Sequence, residues 1–168
     1  MTRPLMLPTL CLALGLTAQG CFLKSPLDAR ASVKVDPSVF GTWRCLGVDE
    51  PADAKPANFE VGRLDEFRYR ITFRDEDEEP QLYEVHASVV KGRTVLNARL
   101  VDANPEDPKQ WALASYSFLR ADVVQVQLAD HDKLRGADAS PRMLRAAFEK
   151  ALHQGLLTEW CVCVRAKG

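Results

Sequence analysis

Residues 67–73 read FRYRITF, and this two-residue rhythm constrains the chain more than any other feature. Phe67, Tyr69, Ile71 and Phe73 point one way, while Arg68, Arg70, Thr72 and Arg74 point the other. An extended backbone sends successive side chains to opposite faces, so the segment has one dry and one wet face. The rhythm returns where Tyr83, Val85, Ala87 and Val89 oppose Glu84, His86 and Ser88, and where Val124, Val126 and Leu128 alternate with Gln125 and Gln127. Half-wet strands belong to antiparallel sheets. The connections agree: Lys91-Gly92-Arg93 is a tight hairpin whose glycine can take positive φ, and Arg120 to Asp122 is another short turn. Pro105 and Pro108 mark a longer loop over 102–109. Strands are expected near 41–47, 66–73, 81–90, 94–101, 111–119, 123–130 and 158–165, with a short one at 58–62. The fold class is therefore mainly β. It is an antiparallel up-and-down meander, a barrel or half-barrel, with one helix before the last strand.

That helix is SPRMLRAAFEKALHQG, residues 140–155. Ser140 suits the N-cap and Pro141 the first turn. Leu144, Ala147, Phe148, Ala151 and Leu152 share a face, and Gly155 can end the helix in a left-handed cap.

The chain opens differently. Arg3 precedes an apolar run from Leu5 to Ala18, too short to span a bilayer, and Ala18 and Gly20 are small. Residues 1–20 read as a signal peptide. The run TAQGC resembles the lipobox of bacterial lipoproteins, in which the cysteine becomes the lipidated N-terminus. The resemblance implies acylation of Cys21, as by palmitate, and with Phe22 next to it, a periplasm-facing place on the bacterial outer membrane. Residues 21–37, with Pro26 and Pro37 as breaks, read as a tether. Residues 38–168 then form one domain. Without Arg3 the charge is 21 basic against 23 acidic residues, a net of −2. No basic stripe suggests nucleic acid as a partner.

Gly41-Thr42-Trp43 opens the first strand. This resembles the G-x-W of the lipocalins and other calycins. The order of a meander, an outside helix and a final strand beside the first is also similar. The resemblance implies a barrel floor closed by Trp43, with Gly41 beside it and a late basic residue, Arg135 or Arg165, packed over the indole. It also implies a small apolar ligand or lipid in the mouth. Departures are the missing T-D-Y motif and a strand count one short unless 58–62 pairs, so a half-open sheet stays open beside a closed barrel.

Cys45, Cys161 and Cys163 remain after the signal and anchor. If the sheet closes, the last strand lies beside the first, and Cys45 can bridge either Cys161 or Cys163. Trp160, Val162 and Val164 would then face outward under the helix. Cys-x-Cys lacks a zinc spacing, and no histidine adjoins it, so no metal is expected. Asp75 to Glu79 is an acidic hairpin tip, read as solvated. Asp130-His131-Asp132 reads as a polar strand end, His153 as a surface partner of Glu149, and His86 as part of a polar strand face. Ser115 and Ser117 lack a nucleophile-elbow glycine pattern, and no phosphate-binding glycine loop appears. The sequence therefore points away from an enzyme, and no cofactor is expected. It points to a membrane-anchored lipoprotein that holds a small apolar ligand or engages another envelope protein.

The anchor has a direct test. Cys21→Ser is expected to abolish incorporation of labelled fatty acid and release the protein from membranes. A wild-type protein that takes up no label would remove the lipoprotein reading.

Overall fold

The structure is a computed structural model that describes residues 22–51, 53–75, 79–102, 106 and 110–167. Cys11, Cys21 and the signal segment lie outside the described residues, as do Glu76, Asp77 and Glu78 of the acidic tip. Eight strands form one closed antiparallel barrel in sequence order: β1 (Gly41–Gly47), β2 (Ala57–Arg63), β3 (Arg68–Arg74), β4 (Gln81–Val90), β5 (Arg93–Leu100), β6 (Trp111–Arg120), β7 (Val123–Ala129) and β8 (Leu157–Arg165). The helix α1 (Pro141–Ala151) stands between β7 and β8. Among the described residues, no helix is long and apolar enough to cross a membrane.

Closure was open on the sequence because 58–62 is weakly patterned. It forms β2, and Phe59 pairs with Trp43 on one side and Phe73 on the other. The meander then returns to its start, with β8 antiparallel to β1. Tight turns join β2 to β3, β4 to β5 and β6 to β7. Lys91 and Gly92 both take positive φ, which matches a two-residue hairpin to the twist of β4 and β5.

Ser140 caps α1 by accepting from the Met143 N–H at 3.3 Å. Gly155, at φ 67°, ends the short 3₁₀ turn Leu152–Gln154 that follows α1. The helix does not cover Trp160, Val162 or Val164 of β8; only Leu157, at the start of that strand, joins its cluster. Leu144, Phe148 and Ala151 pack instead with Val90, Val95 and Leu113 on the outer faces of β4, β5 and β6. The reason lies in a bulge: Val126 pairs with Cys161 and Gln127 with Glu159, so Trp160 is the extra residue. The bulge turns Trp160 toward the interior, where its ring meets Phe59 edge-on at 5.8 Å. What remains outside on β8 is a half-buried Val162 and an exposed Val164, which need little cover.

The segment expected as a tether is part of the domain. Leu23 and Leu27 are buried in the outer core. Leu23 donates from its N–H to Trp111 O at 2.7 Å, and the Leu27 N–H donates to Asn97 Oδ1 at 2.7 Å. Asn97, fully buried, donates to His86 O at 3.2 Å and to Ser88 Oγ at 2.9 Å. Arg145 of α1 clamps Asp28 at 2.8 and 3.0 Å. A strap of chain thus lies between helix and barrel wall. It had no visible periodicity because its backbone bonds at isolated points, to Trp111 through Leu23 and to the Asn97 side chain through Leu27, rather than along a continuous ladder.

His86 is consequently buried, not exposed on a polar face. Its Nε2 lies 3.0 Å from Asp28 O, and its ring meets Trp111 edge-on at 5.7 Å. Burial holds its pKa below the usual 6.5, and the charge of Arg68 adds to this, against a raising effect of Asp28. The folded chain therefore resists protonation that the unfolded chain accepts. Stability is full above about pH 6.5 and falls as pH drops from there toward the lowered folded pKa. Thermal unfolding is expected to show a falling Tm between pH 7 and about 5. His86→Gln should flatten that slope; an unchanged slope would show that His86 does not carry it.

A closed floor and an apolar cavity

One barrel end is sealed by the chain entering it. Asp36 caps a 3₁₀ turn, Pro37–Val39, accepting from the Ser38 N–H at 2.9 Å and the Ser38 hydroxyl at 2.6 Å. Its own N–H donates to Tyr69 Oη at 2.7 Å, and its second carboxylate oxygen accepts from the Tyr116 hydroxyl at 3.2 Å. Burial opposes its charge, but the Ser38 and Tyr116 hydrogen bonds outweigh this and hold the carboxyl below its usual range. Tyr116 is pushed up, first by burial and then by the charges of Tyr69 and Asp36, so its hydroxyl stays a donor.

Trp43 is buried just inside this floor, with Nε1 donating to Val39 O at 2.9 Å. Arg165, at the end of β8, lies over the indole with its guanidinium carbon 4.2 Å from the ring centroid. The same guanidinium donates to Phe40 O at 2.5 Å and Ser38 O at 2.6 Å. One side chain thus stacks on the tryptophan and ties the entering chain to the last strand. Gly41 is required beside it: φ is 122°, and a Cβ there would sit 3.1 Å from Arg165 Nη1. Of the two arginines left open by the sequence, the structure places Arg165 in this position. Arg135 pairs with Asp132 on the surface.

Above the floor lies a cavity of about 150 Å³. Its walls come from alternating inward residues: Val61, Ile71, Val85, Leu96, Ala98, Ala112, Ala114, Val124, Val126 and Leu128. Tyr69, Tyr83, Tyr116 and Trp160 also line it. Among the described residues, no charged side chain reaches it. The Tyr69 and Tyr116 hydroxyls are turned to Asp36, and the Tyr83 hydroxyl donates to Gln81 Oε1 at 2.6 Å. Three small residues on the adjacent strands β5 and β6, Ala98, Ala112 and Ala114, leave room in this wall. Tyr69, Phe73 and Tyr83 fill part of the interior as their pattern implied, whereas Phe67 precedes β3 and does not line the cavity.

Cys45 and Cys163 are direct partners across β1 and β8, with Cα atoms 4.0 Å apart, and form a disulfide. Cys161 is a buried free thiol. Burial pushes its pKa up to about 12, and the charge of Glu50 adds to this. The other sequence candidates stay apart from the cavity. Asp130 caps a 3₁₀ turn, His131–Leu134, by accepting from the Asp132 N–H. The Ser115 hydroxyl donates to Thr94 O at 2.9 Å, and Glu149 is paired with Arg145 at 3.7 Å, one turn before it, not with His153. The elements that sequence reasoning missed are Asp36, Val39 and the strap. An Asp-Pro-Ser cap signal at 36–38 was present but lay inside the presumed tether.

Comparison of the chain with protein-family models, with curated proteins and with solved structures finds no match.

Trp43→Ala is expected to leave a cavity and cost about 3–5 kcal/mol, lowering Tm by roughly 10 °C. Arg165→Lys keeps the charge but loses the planar fork, and should cost about 1–2 kcal/mol. Urea unfolding measures both. An Arg165→Lys protein as stable as wild type would show that the fork is not needed.

Proposed function

We propose that the protein is a lipid-anchored envelope barrel of calycin type that holds one small, uncharged, apolar molecule above the Trp43 floor. The observation that carries this reading is the cavity: about 150 Å³, apolar walls and, among the described residues, no charged side chain upon them. Eight-stranded barrels are just wide enough for side chains or one small ligand. A dry apolar space of this size takes a molecule of about benzene dimensions, not a whole lipid. A carboxylate would lose its hydration there without a partner, so a neutral occupant is favoured over a fatty acid anion. The calycin reading draws support from Gly41, Trp43 and Arg165 acting together at the floor. The anchor rests on Cys21 and its lipobox, and the outer-membrane location on Phe22 after it.

A second reading, an interaction lipoprotein docking on another envelope protein, is favoured by one feature. Phe118, Leu119 and Val164 are exposed at the floor end of β6 and β8.

The experiment is a thermal-shift and calorimetric titration of the purified full chain with toluene and naphthalene, alongside decanoate. A neutral ligand at 100 times its Kd stabilises by about 2.7 kcal/mol, a Tm rise of roughly 5–10 °C. Ala114→Phe, which fills the cavity, should abolish the response while the protein stays folded. No response to either neutral compound, and none of comparable size extracted from the native protein, would leave the interaction reading in its place.

A further inference from the structure

Three sulfur atoms meet where the barrel closes. Cys45, Cys161 and Cys163 offer Sγ atoms that all lie within 4.8 Å of one another, and Cys161 Sγ is 3.6 Å from Cys163 Sγ. All three residues are buried, among Trp43, Val124, Val126 and Trp160. This convergence is not the spacing of Cys-x-Cys alone. The direct pairing of Cys45 with Cys163 across β1 and β8 brings the third sulfur in from the opposite end of the meander. A second observation points to the same atoms. A small cavity of about 20 Å³ reaches Cys45 and Cys161 from the loop end of the barrel, with Glu50, Lys55 and Asp75 also on its lining. That volume suits a single small species.

We infer that, once the Cys45–Cys163 disulfide is reduced by a dithiol, Cys45, Cys161 and Cys163 form a three-thiolate site for a soft monovalent cation, Cu(I). Sulfur-only donors select soft ions. A closed zinc site wants four ligands, and the group holds three. The nearby carboxylate, Glu50, accepts from the Gly47 N–H at 2.8 Å and lies outside the group. With metal–sulfur bonds of about 2.3 Å, a trigonal plane sets its sulfurs about 4 Å apart; Cys161 Sγ already lies 3.6 Å from Cys163 Sγ, and the Cys45 and Cys163 sulfurs move apart to that spacing once their bond is broken.

The reaction balances. The dithiol becomes a disulfide, and its two electrons and two protons pass to the sulfurs of Cys45 and Cys163 as their S–S bond breaks. Cu(I) then displaces one proton from each of the three thiols. In the disulfide form only Cys161 remains a thiol, so the site is closed to the ion. This inference is independent of any ligand in the larger cavity.

The test uses the purified full chain carrying Cys11→Ser and Cys21→Ser, so that only these three thiols remain. Protein reduced with a phosphine should take one equivalent of Cu(I) from its bicinchoninate complex, while the disulfide form should take none. Reduced protein with the further change Cys161→Ser should bind more weakly by more than the roughly 10–100-fold that even an outer-shell change costs. Circular dichroism should show the barrel retained in every form. Three results would overturn the inference: a folded, reduced protein that leaves Cu(I) with the chelator, a Cys161→Ser protein that binds as tightly, or equal binding by the disulfide form. Loss of the barrel on reduction would also overturn it, because the sulfurs meet only across the closed seam.

Discussion

The seam between β1 and β8 governs the molecule. An eight-stranded meander left open has two unpaired edges and no enclosed interior. Here the edges are joined by ladder pairing from Trp43 with Arg165 to Gly47 with Cys161. The join is fixed covalently at Cys45–Cys163 and electrostatically at Arg165, which reaches across to Phe40 O and Ser38 O. The disulfide closes a loop of sequence separation 118, and removing such long-loop freedom from the unfolded chain is worth about 2–5 kcal/mol. The cavity, the floor and the sulfur cluster are all consequences of this closure.

The wall of the barrel serves two cores. Its inner face encloses the cavity, and the outer faces of β4, β5 and β6 carry Val90, Val95 and Leu113 into a second core beneath α1 and the strap. A second apolar layer on an outer wall forces polar groups under cover as well. Ser88, Asn97 and Ser115 are almost wholly enclosed, and among the described residues every buried side-chain polar atom has a partner. Asp28 shows how this is achieved. Burial works against its charge, but bonds from Ser88 and Arg145 and the charges of Arg145 and His86 together hold its carboxyl below the usual range.

What could be read from the sequence is what repeats with a fixed period. FRYRITF declares a strand because its two faces differ chemically at each step, and Ser140-Pro141 declares a helix start because each residue suits its place. Trp43 was legible at the floor for its Gly-x-Trp setting. The choice between Arg135 and Arg165 was not, since only the register of β8 against β1 decides which guanidinium reaches the indole. The same holds for Cys161 and Cys163: they differ by two residues on one strand, and pairing with Cys45 depends on which lies directly opposite. The face of Trp160 was misread because one extra residue in β8 inverts the alternation, and no residue type there announces a bulge. The strap was misread for a related reason. Its partners, Asn97, Trp111 and Arg145, are all distant in sequence.

The order of strands also has a temporal meaning. Each of the seven neighbouring pairs from β1 to β8 can form as soon as its second strand is available, because its two strands are consecutive in sequence. The eighth pairing cannot. β1 must wait for a strand more than a hundred residues later, and α1 with its flanking turns has to be accommodated first. Until then the growing sheet exposes β1 on one side and its newest strand on the other, both able to pair with a neighbouring chain. Such distant closure is slow by its loop entropy. The chain therefore passes through a stage in which Cys45 is an unshielded thiol on an open edge. Its vulnerability to aggregation and to wrong sulfur pairing belongs to that stage of folding and not to the finished barrel.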